Sequence, residues 1–407
     1  MLPHAGNEFQ NHHQYHTMKN KRLFRAAVAL ALAALPFASC RKGEFVLPST
    51  SIEVGGGDSG GDIKGFFLLN EGNMGNNKAS LDYYDYETGI YHVNIYAERN
   101  PGVVYELGDV GNDIQIYGNK LYAVINCSNL VEVMDVATAR HEATVYIPNC
   151  RYAVFKDGFA YISSYAGPVK IDPTARLGYV AKVDTATMQI VDTCTVGYQP
   201  EEMVITGNKL YVANSGGYRV PNYDRTVSVI DLTTFTEIKK IDVAVNLHRL
   251  ELDRYGNIYV SSRGDYYDTP SKTYIIDSRT DEVTDILHLL PNTNMTLAGD
   301  SLYVYSTEWS WYTEQFTTSY AIVDTRTKKV VTRNFITDGT DAEIEVPYGI
   351  AVNPDNGDFF VTDAKDYVTP GKLHCYDRQG KRKWSVTTGD IPAHIVFTRK
   401  RLLPLDE

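Results

Sequence analysis

Apart from one stretch near its start, this 407-residue chain has no long hydrophobic run, which excludes a bundle of membrane-spanning helices. It has no surplus of positive charge either. Its 39 Lys and Arg stand against 50 Asp and Glu, a formal net charge of −11. A chain this acidic repels phosphate backbones, so nucleic acid is not expected as a partner. Cysteine is scarce, at five residues whose spacing matches no zinc pattern. Neither G-x-S-x-G nor H-E-x-x-H occurs in its β-rich body, so no nucleophile elbow or zincin helix is expected there. Phe is limited to 14 residues and Trp to three, whereas Tyr reaches 30. Most of the aromatic area therefore carries a polar handle.

The one apolar run belongs to a leader. Met18–Ser39 reads MKNKRLFRAAVALALAALPFAS: four basic residues, an apolar stretch, then small residues ahead of Cys40. This is the pattern of a secretory signal peptide, too short and wrongly flanked for a lasting span. Residues 1–17 have no place ahead of a signal, so Met18 is expected as the true start. Phe37-Ala38-Ser39-Cys40 resembles a bacterial lipobox, in which the cysteine is freed and acylated, with Phe37 where that pattern prefers Leu. Lipidation at Cys40 is the expectation; the alternative is a soluble exported protein with an ordinary thiol there. Residues 40–64 hold few apolar side chains and include GGGDSGGD, so a flexible Gly-rich tether is expected after the lipidated cysteine. Without residues 1–39 the chain keeps 35 basic and 49 acidic residues, a charge near −14.

Beyond the tether the chain repeats itself. Residues 200–243 read as four short strands: EMVIT, a GN turn, KLYVANS, a long polar loop, TVSVIDL, a TTFT turn and EIKKIDV. Alternating apolar and polar residues, rich in β-branched and aromatic types, mark half-buried strands. The second strand recurs as FFLLNEG (66–72), KLYAVINCS (120–128), FAYISSY (159–165), KLYVANSG (209–216), NIYVSSRG (257–264), SLYVYSTE (301–308) and DFFVTDAK (358–365). The third ends in Asp85, Asp135, Asp184, Asp231, Asp277, Asp324 and Asp377, 46 to 53 residues apart. Each carboxylate is placed to accept the backbone N–H two residues on, which reads as turn chemistry before catalysis.

Seven such units predict an all-β, seven-bladed β-propeller over residues 65–398, four antiparallel strands per blade, with a C-terminal tail at 399–407. The first unit lacks a first strand, while PAHIVFT (392–398) matches the first-strand pattern PYGIAV (347–352). The C-terminal strand is therefore expected to complete blade 1 and close the ring, removing an open edge.

Strand order puts the loops that follow strands two and four on one face. Turns on the other face are minimal (YGNK, KDGF, TGNK, AGDS), whereas the first class is long at 73–78, 166–177, 217–225, 265–271, 309–317 and 366–371. Long loops on a rigid scaffold carry function. Expected ligand contacts on this rim are Asn73, Asn126, Tyr165, Asn214, Tyr218, Arg219, Arg263, Tyr266, Tyr267, Trp309, Trp311 and Tyr367. Asn70, Tyr223, Arg225 and Tyr312 lie on the same loops. At the tops of the inner strands, Arg151, Tyr152, His248, Arg249, Tyr348 and His394 are expected to join them, at the level of Asp113, Glu202 and Asn294. Rigid aromatics beside adaptable amides are the composition of binding surfaces. The plainer reading has many of these tyrosines packing between blades with their hydroxyls at the edge.

His248 and His394 read either as general bases or metal ligands meeting across the channel, or as hydrogen-bonded channel residues. Asp363 and Asp366 invite calcium, although two carboxylates alone do not make a site. Cys127 and Cys150 fall on the loop-rich face of neighbouring blades, where a disulfide is one reading; Cys194 and Cys375 lie within strands. No metal and no required cofactor are expected.

The KLYVANS and VSVIDLTT segments, recurring as YVAKVDTAT and TYIIDSRT, resemble the YncE-like seven-bladed propellers. Within that group, an acylated exported chain with a Gly-rich tether and a Tyr/Trp-rich mouth is similar to the BtuG-type lipoproteins. That resemblance implies a non-enzymatic, lipid-anchored outer-membrane protein that captures cobalamin (a corrinoid) and passes it to a TonB-dependent transporter. It implies the cell surface, although RKGEF after Cys40 is not the acidic run common there, and the periplasmic side stays open. A corrin is a broad apolar plate fringed with amides, which a wide aromatic mouth with Asn, Arg and Tyr donors suits. Two other classes fit the same face: a protein-interaction scaffold, and a periplasmic hydrolase or lyase working through His248 or His394 with Glu202.

Overall fold

The computed structural model describes residues 48–55, 61–103, 107–287, 290–310 and 315–405. The extension 1–17, the leader 18–39 and Cys40 lie outside the described residues. Among those described, seven antiparallel sheets form seven blades. Blade 1 takes β1 (Thr50–Glu53), β2 (Gly65–Asn70), β3 (Ser80–Asp85) and β4 (Ile90–Val93), followed by the short helix α1 (Ile95–Arg99). Blade 2 is β5 (Gly111–Tyr117), β6 (Lys120–Ile125), β7 (Leu130–Asp135) and β8 (His141–Tyr146); blade 3 is β9 (Cys150–Lys156), β10 (Phe159–Ser164), β11 (Tyr179–Asp184) and β12 (Ile190–Thr195). Blade 4 is β13 (Pro200–Thr206), β14 (Lys209–Asn214), β15 (Thr226–Asp231) and β16 (Thr236–Asp242); blade 5 is β17 (Leu247–Leu252), β18 (Asn257–Ser262), β19 (Lys272–Asp277) and β20 (Glu282–Leu287). Blade 6 is β21 (Asn294–Ala298), β22 (Ser301–Ser310), β23 (Gln315–Asp324) and β24 (Lys329–Thr332). Blade 7 is β25 (Pro347–Val352), β26 (Phe359–Asp363), β27 (Pro370–Tyr376) and β28 (Arg382–Asp390), and β29 (Pro392–Thr398) returns to blade 1.

The local chemistry follows the repeat. In all seven blades the Asp at the end of the third strand accepts the N–H two residues on at 2.8 to 3.0 Å, from Glu87 on Asp85 to Gln379 on Asp377. β29 pairs with β2 from Gly65↔Thr398 to Asn70↔Pro392, so the ring is closed as expected. The core lies between neighbouring sheets. Phe66 and Leu68 of blade 1 pack on Phe360 and Leu373 of blade 7, and Tyr122 and Val124 of blade 2 pack on Ala153 and Ile162 of blade 3. Several tyrosines serve this frame: Tyr83, Tyr84, Tyr122, Tyr211 and Tyr259 are fully buried, and the Tyr211 hydroxyl donates to the Ser278 carbonyl at 3.0 Å.

Three expectations need correction. Thr50–Glu53, placed in the tether, is a fifth strand that pairs with β4 from Thr50↔Val93 to Glu53↔Ile90. Its four side chains are exposed, because an open sheet edge recruits backbone and asks for no apolar residues. The stretch 309–317, expected as a loop, is largely hairpin. β22 and β23 pair out to Ser310↔Gln315, with Trp309 opposite Phe316, while Trp311 and Tyr312 lie outside the described residues. The disulfide reading fails, since Cys127, Cys150, Cys194 and Cys375 are all free. Cys150 turns into the core between blades 2 and 3, its thiol donating to the Leu130 carbonyl at 3.2 Å, while Cys127 is directed at the Asn126 side chain.

The tail is docked as well. Leu402 is buried and donates its N–H to the Tyr83 hydroxyl, and Leu403 donates to the Ala137 carbonyl at 2.7 Å. Among the described residues no helix is long and apolar enough to cross a membrane.

Candidate functional site

Each inner strand begins at the loop-rich end of the ring, and there the backbone is irregular. The residue just before five of the seven inner strands holds a left-handed φ: Val110, Asn149, Gln199, Asn246 and Ile391, between 45° and 61°. Val110 and Ile391 are β-branched, for which this conformation costs roughly 1–3 kcal/mol. Register shifts follow at once, between Gly111 and Asp113, Pro200 and Met203, Leu247 and Leu250, and Pro347 and Ile350. A bulge opposes two residues to one and re-aims side chains, so neighbours such as Glu201 and Glu202 both take part in the channel network.

Those side chains meet in one network. Glu201 is the hub, its side chain 1% exposed. Arg151 donates to its Oε2 through Nε and Nη2, both at 3.1 Å, and the Tyr165 hydroxyl donates to Oε1. Arg263 reaches the same oxygen from 3.5 Å. Burial alone would raise the Glu201 carboxyl, but Arg151 and then Arg263 outweigh it and hold the group below its ordinary value. The Arg151 guanidinium also lies 4.8 Å from the centre of the Tyr165 ring.

A second cluster joins the first at Tyr152. Its hydroxyl is 3.1 Å from His248 Nε2, and Arg249 lies 5.3 Å from its ring centre. Arg249 donates to Glu202 at 3.3 Å, and Leu250 donates its N–H to the other carboxylate oxygen at 2.7 Å. Burial pushes Glu202 up and His248 well down, the latter helped by Arg263, Arg249 and Arg151. Further along β17, Glu251 is pushed up to about 8 by burial and by the Glu202 carboxylate. Across the channel His394 sits 3.4 Å from Glu71, which also accepts from the Tyr348 hydroxyl at 2.8 Å.

The network continues to the rim. Tyr218 packs edge-on against Tyr165 at 6.3 Å and Tyr367 against Tyr348 at 5.9 Å, and both outer rings are exposed. Tyr266 and Tyr267 stand freer, 59% and 77% exposed. The structure thus brings together Arg151, Tyr152, Tyr165, His248, Arg249, Arg263, Tyr348 and His394, with Tyr218 and Tyr367 at their edge. Asn126 and Asn214 fall elsewhere. Both are buried in the frame, Asn126 donating to the Cys150 carbonyl at 3.0 Å and Asn214 to Thr226 and Ser228. Arg219 stacks on Tyr198, 3.5 Å from its ring centre. Asn73 caps its own loop, its carbonyl accepting from the Asn76 N–H at 3.0 Å.

Sequence reasoning missed Glu201, Glu71 and Glu251. Glu201 had one signal: it stands one residue after the inner-strand start, the position Arg151 and His248 hold in their own blades. Asp363 and Asp366, considered for calcium, have oxygens engaged by backbone: Val346 and Lys365 on Asp363, Val368 and Thr369 on Asp366. Among the described residues no group of three or more His, Cys, Asp or Glu is arranged for a metal. The letters GDSGG at 57–61 fit G-x-S-x-G, but residues 56–60 lie outside the described residues.

No curated protein matches this sequence. Among solved structures, the fold is similar to a quinonprotein alcohol dehydrogenase-like protein from Bacteroides thetaiotaomicron, with TM-score 0.56 and 15% identity over 83% of this chain and 78% of that one. Hydrazine synthase from Kuenenia stuttgartiensis gives TM-score 0.55 and 17% identity over 66% and 76%. AztD from Citrobacter koseri gives TM-score 0.50 and 11% identity over 83% and 99%. At such identities the likeness is one of fold. Residues 64–398, the whole closed ring, match the family described as a domain of unknown function, DUF5074, and the chain belongs to that family.

Proposed function

We propose that this chain is a non-enzymatic capture protein, tethered to the outer membrane by a lipid on Cys40, that takes a small molecule into the loop-rich mouth. Cobalamin or a related corrinoid is the leading ligand, passed on to a TonB-dependent transporter. One observation carries the reading: exposed Tyr218 rests on buried Tyr165, which the Arg151–Glu201 pair holds in place, and exposed Tyr367 rests on half-buried Tyr348, whose hydroxyl is fixed on Glu71. A wall whose rotamers are set before binding loses little entropy when a flat ligand stacks on it.

The path of the chain supports the tether. β1 runs antiparallel to β4, and Thr50 pairs with Val93, the last residue of β4, so the chain joins the ring at the loop-rich end. Cys40 stands ten residues earlier, a reach of at most about 36 Å. An anchor there draws the mouth toward the membrane and toward any transporter in it.

Isothermal titration with cyanocobalamin tests the ligand. Saturable heat is expected, weakened roughly tenfold in Tyr218→Ala and in Tyr367→Ala, since one aromatic contact carries about 0.5–1.5 kcal/mol beyond its buried area. Absence of saturation with folded protein sinks the corrinoid. The scaffold reading has one observation in its favour, the exposure of Tyr267, Val368 and Met74 on the same face. Membrane pull-down with a Tyr267→Ala, Val368→Ala variant separates the two: loss of a partner with the small ligand still bound favours the scaffold.

A further inference from the structure

We propose that the centre of the mouth is an oxyanion subsite, in which Arg249, Arg263 and His248 receive a carboxylate or phosphate group of the ligand. This deepens the capture reading, since it concerns the same mouth, and it stands on donors that the network leaves over.

The three arginines differ in what they have left. Arg151 is committed to Glu201 through two nitrogens and serves to position that carboxylate. Arg263 approaches Glu201 only to 3.5 Å, at an oxygen that Tyr165 already donates to, and its side chain remains 27% exposed. Arg249 makes one 3.3 Å contact with Glu202, and its Nε is buried with no partner among the described residues. A guanidinium carries five N–H donors in a planar fork, so both arginines keep donors that the network does not use.

His248 supplies the independent observation. It is 8% exposed, and while Nε2 meets the Tyr152 hydroxyl, Nδ1 is buried with no partner among the described residues. The subsite takes the tautomer in which Tyr152 donates to Nε2 and the neutral ring carries its hydrogen on Nδ1, a third donor. Buried donors are rarely left unmatched, and an oxyanion matches several at once.

The charges around these donors are mixed. Arg151, Arg249 and Arg263 all act on His248, against the two carboxylates bonded to them, Glu201 and Glu202. The neighbouring acids are otherwise engaged: Asp113 accepts from the Ile114 and Ala153 N–H groups, and Glu71 faces His394 and Tyr348. Glu251 is pushed up to about 8 and adds little negative charge at neutral pH. Because the chain as a whole is strongly acidic, capture depends on these short-range donors and not on long-range steering.

Titration calorimetry of the full chain with inorganic phosphate, and separately with acetate, tests the subsite at constant ionic strength. Saturable binding of one of them is expected, and the tighter of the two assigns the group. Arg263→Gln should weaken it roughly ten- to a hundredfold, the factor that a lost charged hydrogen bond carries. Arg249→Gln should do the same, and Arg279→Gln, exposed on the opposite face, should change nothing. Arg263 is partly exposed, so its variant reports even where Arg249→Gln fails to fold. No saturable binding to folded wild type, or unchanged affinity in Arg263→Gln, overturns the subsite. Corrinoid binding that ignores phosphate and Arg263→Gln overturns the subsite and leaves capture standing. Phosphate binding without corrinoid binding leaves the subsite standing and overturns the corrinoid.

Discussion

Replacing Glu201 by Gln is the sharpest test of the hub at the mouth. The change keeps shape and removes one charge, so Arg151 is left buried against a neutral amide, with Arg263 and the Tyr165 hydroxyl around it. Breaking a buried pair from one side costs roughly 3–5 kcal/mol, most of it the desolvation of the stranded cation. At about 2.1 cal/mol/K of unfolding entropy per residue, a ring of roughly 340 residues loses about 1.4 °C of Tm per kcal/mol. Calorimetry should therefore show Glu201→Gln melting about 4–7 °C below wild type. The double variant Arg151→Met, Glu201→Gln should recover a large part of that loss, because neither partner is then an unpaired buried charge. A single-variant shift below about 1 °C, or a double variant less stable than Glu201→Gln, would refute the assignment of Glu201 as the hub.

Two further outcomes follow from the same geometry. Glu251 binds its proton more tightly in the folded ring, where its group is pushed up from 4.5 to about 8 by burial and then by Glu202. Its contribution is therefore fully present below pH 4.5 and is lost as pH rises toward 8, so Glu251→Gln should remove that decline. We expect the variant to exceed wild type in Tm at pH 8.5 by roughly 2–4 °C more than at pH 4.5, corresponding to about 1.5–3 kcal/mol; an equal difference at both pH values contradicts this. Gly264 begins the loop that carries Tyr266 and Tyr267, holds φ at 68°, and would drive an added Cβ into the Thr269 carbonyl oxygen. Gly264→Ala should cost roughly 1–3 kcal/mol and lower Tm by about 1–4 °C, and a wild-type melting curve would show that the loop tolerates the change.

The blades could be read directly from the chain because their rules are local. Alternation of period two marks each strand, and one Asp per blade sets the third turn through its own backbone two residues on. Ring closure was legible too, since the first unit lacks a strand and the last supplies one. Edge recruitment was not. Thr50–Glu53 carries one apolar side chain, the exposed Ile52, and pairs along the edge that β4 would otherwise leave open.

At the mouth, pattern alone stopped short. Arg151, Glu201 and Arg263 are about 50 to 110 positions apart and come from three different blades, so only the rotation of each sheet about the axis brings them together. The bulges at the strand starts then decide which of two neighbours joins which partners: Glu201 bonds Arg151, and Glu202 bonds Arg249. The same tertiary placement drew Asn126 and Asn214 into the frame, although their neighbours promised a rim. Strand identity, blade number and closure rest on contacts between near neighbours or edge partners, and the amino-acid sequence determined them by itself. Which side chains meet around the axis depends on register shifts and on distances between blades, and those only the folded ring decided.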